Sequence, residues 1–350
     1  MSYLNSEDPA LRRERVGWAN GIVFDSRDSL ILLDPTSGRR LQQDWNVFIS
    51  HAHSDHTYGF STQAKKYCTE ETLWIYEALR EQKVKNYHTM KLGETIRIDD
   101  FEVTALNAGH MLGSCQFEIV TPNFTTIYTG DINCVDTLTT QAAERKSCDY
   151  LIIEATYGHP SYQFPRRGTM YADIIRWAMT EIKEEKIPTF QVYSSGKPQE
   201  VIRLFNVYTK IPVVCNPTIA RASDVHNDSG IKLDYLDSST AEGGHTLKTG
   251  GCVYITTSSD HMPRNASRAV ATGWAIRQAF RKCTSFPLSS HADYDQLMQF
   301  VASVNPKRVH TFTGYTDILS AQIERRLGIR ATQLPVISQT KLLDFGEVTT

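Results

Sequence analysis

The sequence predicts an α/β protein, and three observations carry that reading. The first 155 residues read mostly as short strands joined by turns. Helical and strand-like segments alternate after about residue 168, and a helix–strand–helix series follows near residues 294–327. At 350 residues the chain has room for one large domain or two of ordinary size. An apolar content of 41% and a charged content of 22% are those of a globular protein.

The elements follow in order. Gly21-Ile-Val-Phe-Asp25 and Ser29-Leu-Ile-Leu-Leu-Asp34 flank the polar turn Ser26–Asp28 and read as a hairpin. Trp45-Asn-Val-Phe-Ile-Ser50 is a strand-like apolar run, and residues 70–82 carry Leu73, Ile75 and Leu79 at helical spacing. Strands are expected at 95–98, 101–106, 116–120, 125–129 and 150–154. A helix over 170–186 should stop before Pro188, and a strand over 189–193 leads through Ser194-Ser-Gly-Lys-Pro198 to a helix over 199–208. Strands follow at 212–215 and 253–257. Between them, residues 221–250 are polar and rich in Gly and Ser, with weak signals. The last segment reads as a helix at 294–304, a strand at 308–313 and a helix at 318–327.

Composition narrows the function classes. No apolar run approaches the roughly 18 residues of a membrane span, and the first residues lack the basic and apolar regions of a signal peptide. Seven cysteines without a C-x-x-C pair point to reduced thiols and a cytoplasmic protein, not to a disulfide framework or a thiolate zinc site. A net charge of −2 excludes a globally basic nucleic-acid binder. Local basic patches remain: Arg12-Arg13, Arg166-Arg167, and Arg277 with Arg281-Lys282.

The chemistry concentrates in His51-Ala-His53-Ser-Asp55-His56, directly after the Trp45–Ser50 run. Imidazoles and a carboxylate packed this closely repel one another unless a cation sits among them, and two divalent ions, Zn²⁺ by ligand type, suit such N/O donors. His51 and His53 share a face in an extended segment, while Asp55 and His56, at the turn, can aim at a second ion. The alternative is a polar turn that happens to be histidine-rich, but three of the 11 histidines in six positions argue for chemistry. Further polar groups recur at strand ends: His110 between Gly109 and Gly113, Asp131 after Thr129-Gly130, Glu154 closing an apolar strand, and Leu288-Ser-Ser-His291-Ala-Asp293 before a helix. Singly each fits a turn, a cap or a satisfied core residue; the ordered series carries the inference.

That series resembles the metallo-β-lactamase superfamily in its β-CASP nuclease branch. The motifs are His51-Ala-His53-Ser-Asp55-His56, Ala108-Gly-His110, Thr129-Gly-Asp131, Glu154-Ala-Thr-Tyr-Gly158 and Ser290-His291-Ala-Asp293. Val192-Tyr-Ser-Ser-Gly-Lys-Pro-Gln-Glu200 looks like the phosphate-side loop of the inserted domain. Ala271-Thr-Gly-Trp274 and Ser161-Tyr-Gln-Phe-Pro165 look like Artemis-like nucleases, and closer still to ligase-associated DNA exonucleases of bacteria and archaea. The resemblance implies an αββα sandwich formed by residues 1–168 and 285–350, with an α/β β-CASP domain inserted at 169–284.

It also implies the site. His51, His53, His110 and Asp131 would hold one Zn²⁺, and Asp55, His56 and a bridging Asp131 a second. His291 would be the general acid or a phosphate-binding imidazolium, oriented by Glu154. Ser195, Gly196, Lys197 and Ser290 would bind phosphate. Trp274 would stack a base, or be buried between domains. Asp34 would support a metal-binding histidine or simply shape a turn. Family members often carry a last histidine before a glycine near the C-terminal strand; here Thr313 stands before Gly314, with His310 on the other face of the strand. DNA-cutting members commonly lack that histidine, so Thr313 favours DNA and a looser second site, open to Mn²⁺ as well as Zn²⁺. The leading expectation is a metal-dependent DNA exonuclease of DNA repair or processing, with a DNA ligase or helicase as working partner. A β-CASP ribonuclease is the runner-up. A non-cutting nucleic-acid-binding subunit and a glyoxalase-like hydrolase are the further readings, opposed by the intact His/Asp set and by the insertion.

Overall fold

Short apolar runs bounded by turns build three sheets, described in a computed structural model over residues 15–25, 30–38, 41, 43–258, 262–281 and 283–336. Arg12, Arg13, the Ser26–Asp28 turn and Lys282 lie outside the described residues. The first sheet comprises β1 (Arg15–Trp18), β2 (Ile22–Asp25), β3 (Leu30–Leu33), β4 (Asn46–Phe48), β5 (Lys65–Thr69) and β6 (Tyr87–Met90), in that spatial order. Helix α1 (Glu70–Arg80) follows β5 and is capped where the Thr69 hydroxyl accepts from the Thr72 amide. The expected hairpin is present: β2 pairs antiparallel with β3, Ile22 opposite Leu33.

The second sheet begins with β7 (Thr95–Ile98), β8 (Phe101–Asn107), β9 (Cys115–Val120), β10 (Thr125–Tyr128) and β11 (Tyr150–Ala155). The chain then leaves it for a third, wholly parallel sheet. Its elements are α2 (Arg167–Lys183), β12 (Ile187–Gln191), α3 (Lys197–Tyr208), β13 (Val213–Cys215), α4 (Pro217–Asp228), β14 (Leu236–Asp237), α5 (Ala241–Thr249), β15 (Val253–Thr256), β16 (Ala266–Ala271) and β17 (Thr284–Phe286). They are ordered β14-β13-β15-β12-β16-β17. Finally α6 (Tyr294–Val304), β18 (Arg308–Gly314), α7 (Thr316–Leu327) and β19 (Arg330–Gln333) return the chain to the second sheet, ordered β19-β18-β11-β10-β9-β8-β7.

The packing is an αββα sandwich. Phe24 and Phe48 of the first sheet meet Phe117, Tyr128, Ile152 and Phe312 of the second in one interior. On the outer face of the first sheet Val23 and Val47 pack with Leu73 of α1. On that of the second, Leu151 and Ile153 pack under Leu297 and Phe300 of α6 and Leu319 and Ile323 of α7. Each such fully buried side chain contributes on the order of 1.5–3 kcal/mol. The third sheet has its own core: Ile174, Val201, Phe205 and Ile219 cover one face. Val214 and Tyr254, with Leu247, line the other. Strands β13 and β15 are buried along their whole length, as strands covered on both faces require, while β16 and β17 toward one edge carry polar, partly exposed residues.

Several elements differ from the sequence expectation for identifiable reasons. Helix α2 ends at Lys183, not 186, because Glu185 takes a left-handed φ of 58°; Pro188 therefore lies inside β12, which stops at Gln191. The segment without clear signals holds α4 and α5. Helix α4 buries Ile219 and Val225 together with Ala220, Ala222, Ser223 and His226, so only two of its six buried residues are large and apolar and its face reads weakly as amphipathic. Helix α5 contains Gly243 packed against the Asp237 carbonyl, where a Cβ would sit 2.0 Å from the oxygen. All seven cysteines are free, and among the described residues no helix is long and apolar enough to cross a membrane.

Candidate metal centre

The loop after β4 leaves the first sheet at its edge with the second, and its backbone is tied there: the Ser50 amide donates to Asp34 Oδ1 at 2.7 Å. From it His51, His53 and His56 point into a common volume with His110, from the loop after β8, and Asp131, from the loop after β10. His110 reaches this volume only because Gly109 has a φ of 71° with backbone oxygens pressed against it; a Cβ there would lie 2.6 Å from the Asn133 carbonyl oxygen.

The hydrogen bonds fix which nitrogen of each ring faces inward. His53 Nε2 faces the Ser195 carbonyl at 3.3 Å and must donate to it. His110 Nδ1 donates to the Ser290 carbonyl at 2.9 Å, and His56 Nδ1 donates to Asp34 Oδ2 at 2.8 Å. The Ser50 hydroxyl donates to Asp34, so at 3.0 Å it accepts from His51 Nδ1. Every outward nitrogen is thus a committed donor, and in the neutral rings every inward nitrogen is a bare lone pair. These inward atoms crowd together: His51 Nε2 and His53 Nδ1 are 3.1 Å apart, His53 Nδ1 and His110 Nε2 3.0 Å. Asp131 Oδ2 lies 3.5 Å from His51 Nε2, 3.7 Å from His56 Nε2 and 3.8 Å from His110 Nε2. Lone pairs facing lone pairs beside a carboxylate are repulsive without a cation, and the donor set fits a divalent metal of Zn²⁺ type.

Protonation follows the same logic. Burial, then repulsion from neighbouring imidazoles, holds His51 and His110 well below the usual histidine range, and burial takes His53 down to about 4. Neutral rings are the ligating form. His56 is opposite: burial opposes its charge, but Asp131 and Asp34 more than offset this and push it up to about 10. Asp131 is raised to about 6 by burial, with His56 opposing.

Of the residues expected at a second ion, His56 and Asp131 converge as described. Asp55 is the outlier, with a side chain 77% exposed and a carboxylate 3.6 Å from His56 Nε2, and it joins none of the compact ligand groups. Asp34 is saturated, taking Tyr128 Oη at 2.8 Å as well as Ser50 and His56, which makes it a support. Thr313 lines the same cavity within a β-bulge: Glu154 pairs with Phe312 and Ala155 with Gly314, which skips Thr313 and gives it a φ of 56°. His310 bonds Thr332 on the neighbouring strand and is not among the cavity's lining residues.

Beside the metal ligands lies the buried Glu154, which accepts from the Ile132 amide at 2.7 Å and from His291 Nδ1 at 3.0 Å. Burial opposes charge on His291, but Glu154 and then Asp131 outweigh it and push the ring up to about 9. His291 stacks near His110, ring centroids 4.5 Å apart, and opens on a cavity of about 700 Å³ lined also by Ser195, Lys197, Trp274 and Ser290. Ser195 Oγ and Lys197 Nζ are buried without hydrogen-bond partners, Lys197 being 3.6 Å from Glu200. Burial brings Lys197 down to about 8. Ser290 uses its carbonyl to hold His110. Trp274 is half-buried against Tyr157 and Tyr162, centroids 4.8 and 5.5 Å away.

The residues that sequence reasoning missed are supports. Tyr128 orients Asp34, and its place two residues before Gly130 on an apolar strand carries no polar signal. Arg167, read as one half of a solvated basic patch, is instead buried and paired with Glu200. It donates a second hydrogen bond to the Ser289 carbonyl.

Fold and site together define a metal-binding αββα hydrolase scaffold. Residues 23–189 match the β-lactamase superfamily domain. The chain is 29% identical over 306 residues to a protein of Opitutus terrae named "Probable DNA ligase", covering 84% of this chain and 29% of that protein. It is 27% identical over 211 residues to the RNase J-like protein of Methanocaldococcus jannaschii, covering 51% and 49%. A solved structure of an Enterococcus faecalis V583 protein of unknown function aligns with a TM-score of 0.64 at 14% identity, over 92% of this chain and 97% of that one, and supports the fold. Residues 23–189 thus carry a metallo-β-lactamase superfamily domain, and the chain's relatives are consistent with the β-CASP branch. It spans less than half the length of the two curated relatives just described.

Proposed function

We propose that this protein is a metal-dependent nuclease that hydrolyses phosphodiester bonds of DNA, acting as an exonuclease in DNA repair or processing. The observation that carries the hydrolytic reading is the set of three neutral imidazoles, His51, His53 and His110, whose inward lone pairs meet Asp131 beside the Glu154–His291 pair.

His51, His53, His110 and Asp131 would hold one ion; His56, Asp131 and the exposed Asp55 would hold a second, looser one. When bound, two such ions supply an activated water for in-line attack and offset charge on the phosphoryl oxygens. The protein's own groups do the rest. His291, charged beside Glu154, gives its Nε2 proton to the leaving oxygen, and Glu154 holds the ring through Nδ1. Ser195 Oγ and Lys197 Nζ, buried without hydrogen-bond partners, Lys197 with Glu200 as its ion-pair neighbour at 3.6 Å, would bind a phosphate at the start of α3. Trp274 forms an aromatic wall for a base.

Thr313 in place of a further, histidine ligand to the second ion favours DNA, and so does similarity over 84% of the chain to a protein named as a ligase. A DNA ligase is the partner this suggests. Ribonuclease action is the second reading, favoured by the RNase J-like relative. The test offers matched single-stranded DNA and RNA, with 5′-phosphate and 5′-hydroxyl ends, to the Zn²⁺- or Mn²⁺-loaded protein beside Asp55→Ala/His56→Ala. DNA cleavage lost in the double variant is expected. Cleavage of RNA alone overturns the DNA reading, and equal activity in the variant overturns the mechanism.

A further inference from the structure

Arg167 begins α2, far in sequence from every candidate metal ligand, yet its side chain is only 15% exposed and its guanidinium bonds both the Ser289 carbonyl and Glu200 of α3. One arm bonds Glu200, the other donates to the Ser289 carbonyl. Glu200 is itself buried and also accepts from Tyr171 Oη at 2.6 Å. Ser289 precedes the two residues that matter most on this loop: Ser290, whose carbonyl takes the His110 Nδ1 proton, and His291, which meets Glu154. The Ser289 hydroxyl in turn accepts from the His291 amide at 3.0 Å.

We propose that Arg167, braced by Glu200, is a positioning residue that fixes the 289–291 loop of the αββα sandwich from the inserted sheet's first helix, and so sets the ring orientation of the metal ligand His110. A residue beyond the ligands that fixes ligand orientation changes metal affinity roughly 10- to 100-fold when removed. The inference rests on the metal reading of the histidine cluster and extends it to the second unit of the fold. Lysine cannot replace this arginine, because a single ammonium cannot reach two acceptors in the planar fork that Arg167 uses.

The test is Zn²⁺ affinity of the full chain by chelator competition, with melting temperature recorded alongside. Arg167→Lys is compared with Ile174→Ala, a core truncation in the same helix that takes no part in the hydrogen bonds holding the loop or the ligands. Arg167→Lys should bind Zn²⁺ about tenfold more weakly, and Ile174→Ala should bind it as the unaltered protein does, despite its lower melting temperature. If Arg167→Lys does not fold, Glu200→Gln, which loosens the brace while keeping its shape, is held to the same criterion. Unaltered affinity in the Arg167 or Glu200 variant, or an equal loss in Ile174→Ala, overturns the inference. A parent protein that takes up no Zn²⁺ overturns the metal reading and this inference with it.

Discussion

His53 Nε2 lies 3.3 Å from the Ser195 carbonyl, so a histidine of the first sheet's loop is oriented by the loop that opens α3 in the inserted unit. The same loop carries the unpartnered Ser195 Oγ and Lys197 Nζ. In the proposed function, one short segment would support the metal centre through its backbone and face substrate through its side chains.

That division predicts separable effects. Ser195→Ala and Lys197→Met keep the Ser195 carbonyl, so bound metal stays at the parent level in both. Their kcat/KM on a phosphorylated strand falls roughly ten- to hundredfold, the size of a hydrogen bond to a charged group. Metal analysis beside steady-state kinetics checks this, and metal loss in either variant contradicts it.

Glu154→Gln retains an acceptor for the Ile132 amide but no longer offers a carboxylate to His291. The expected result is a kcat lower by about a hundredfold or more with KM little changed, as for loss of a positioned acid. A fall in KM-dependent binding alone would place Glu154 outside proton transfer.

Stability should fall on mild acidification for a reason outside the site. His226 in α4 is held neutral by burial, its value lowered from 6.5 to about 4, and its Nδ1 donates to the Ala222 carbonyl at 2.8 Å. A depressed histidine means that the unfolded chain takes up its proton first. Stability is therefore lost as pH drops from 6.5 toward 4, by at most about 3 kcal/mol, and levels off below. Denaturant melts of His226→Gln across this range should show a shallower slope than the parent; parallel curves would contradict the assignment.

Thr313 carries strain at a φ of 56°, which costs a β-branched residue about 1–2 kcal/mol. Thr313→Gly should raise the denaturant midpoint accordingly. Thr313→His should tighten the second ion, since the bulge turns this side chain toward the cavity that holds His56. A zinc titration with unchanged second-site affinity would show that residue 313 does not face that ion.

Much of this site was legible in the sequence because its ligands sit at strand ends, where an apolar run gives way to histidine, glycine or aspartate. The first sheet's hairpin, α1, α6 and the β11–β18 strands were readable from period alone. What escaped was structure made by distant contact. Nothing local in Arg167 distinguishes a buried guanidinium from a solvated one, since Glu200 and Ser289 reach it only through the fold. Helix α4 hid for a related reason: Ile219 and Val225 are its only large apolar buried residues, and the rest of that face is alanine with Ser223 and His226, which are satisfied by hydrogen bonds. The bulge that re-aims Thr313 likewise depends on its pairing with β11.

The central claim is that the inward histidine nitrogens and Asp131 hold a metal ion. X-ray absorption at the zinc edge of the reconstituted protein tests it most directly. The account predicts a nitrogen/oxygen shell at about 2.0–2.1 Å with imidazole scattering behind it, abolished in His51→Ala/His110→Ala. A sulfur shell near about 2.3 Å, or an unchanged spectrum in that double variant, would contradict it.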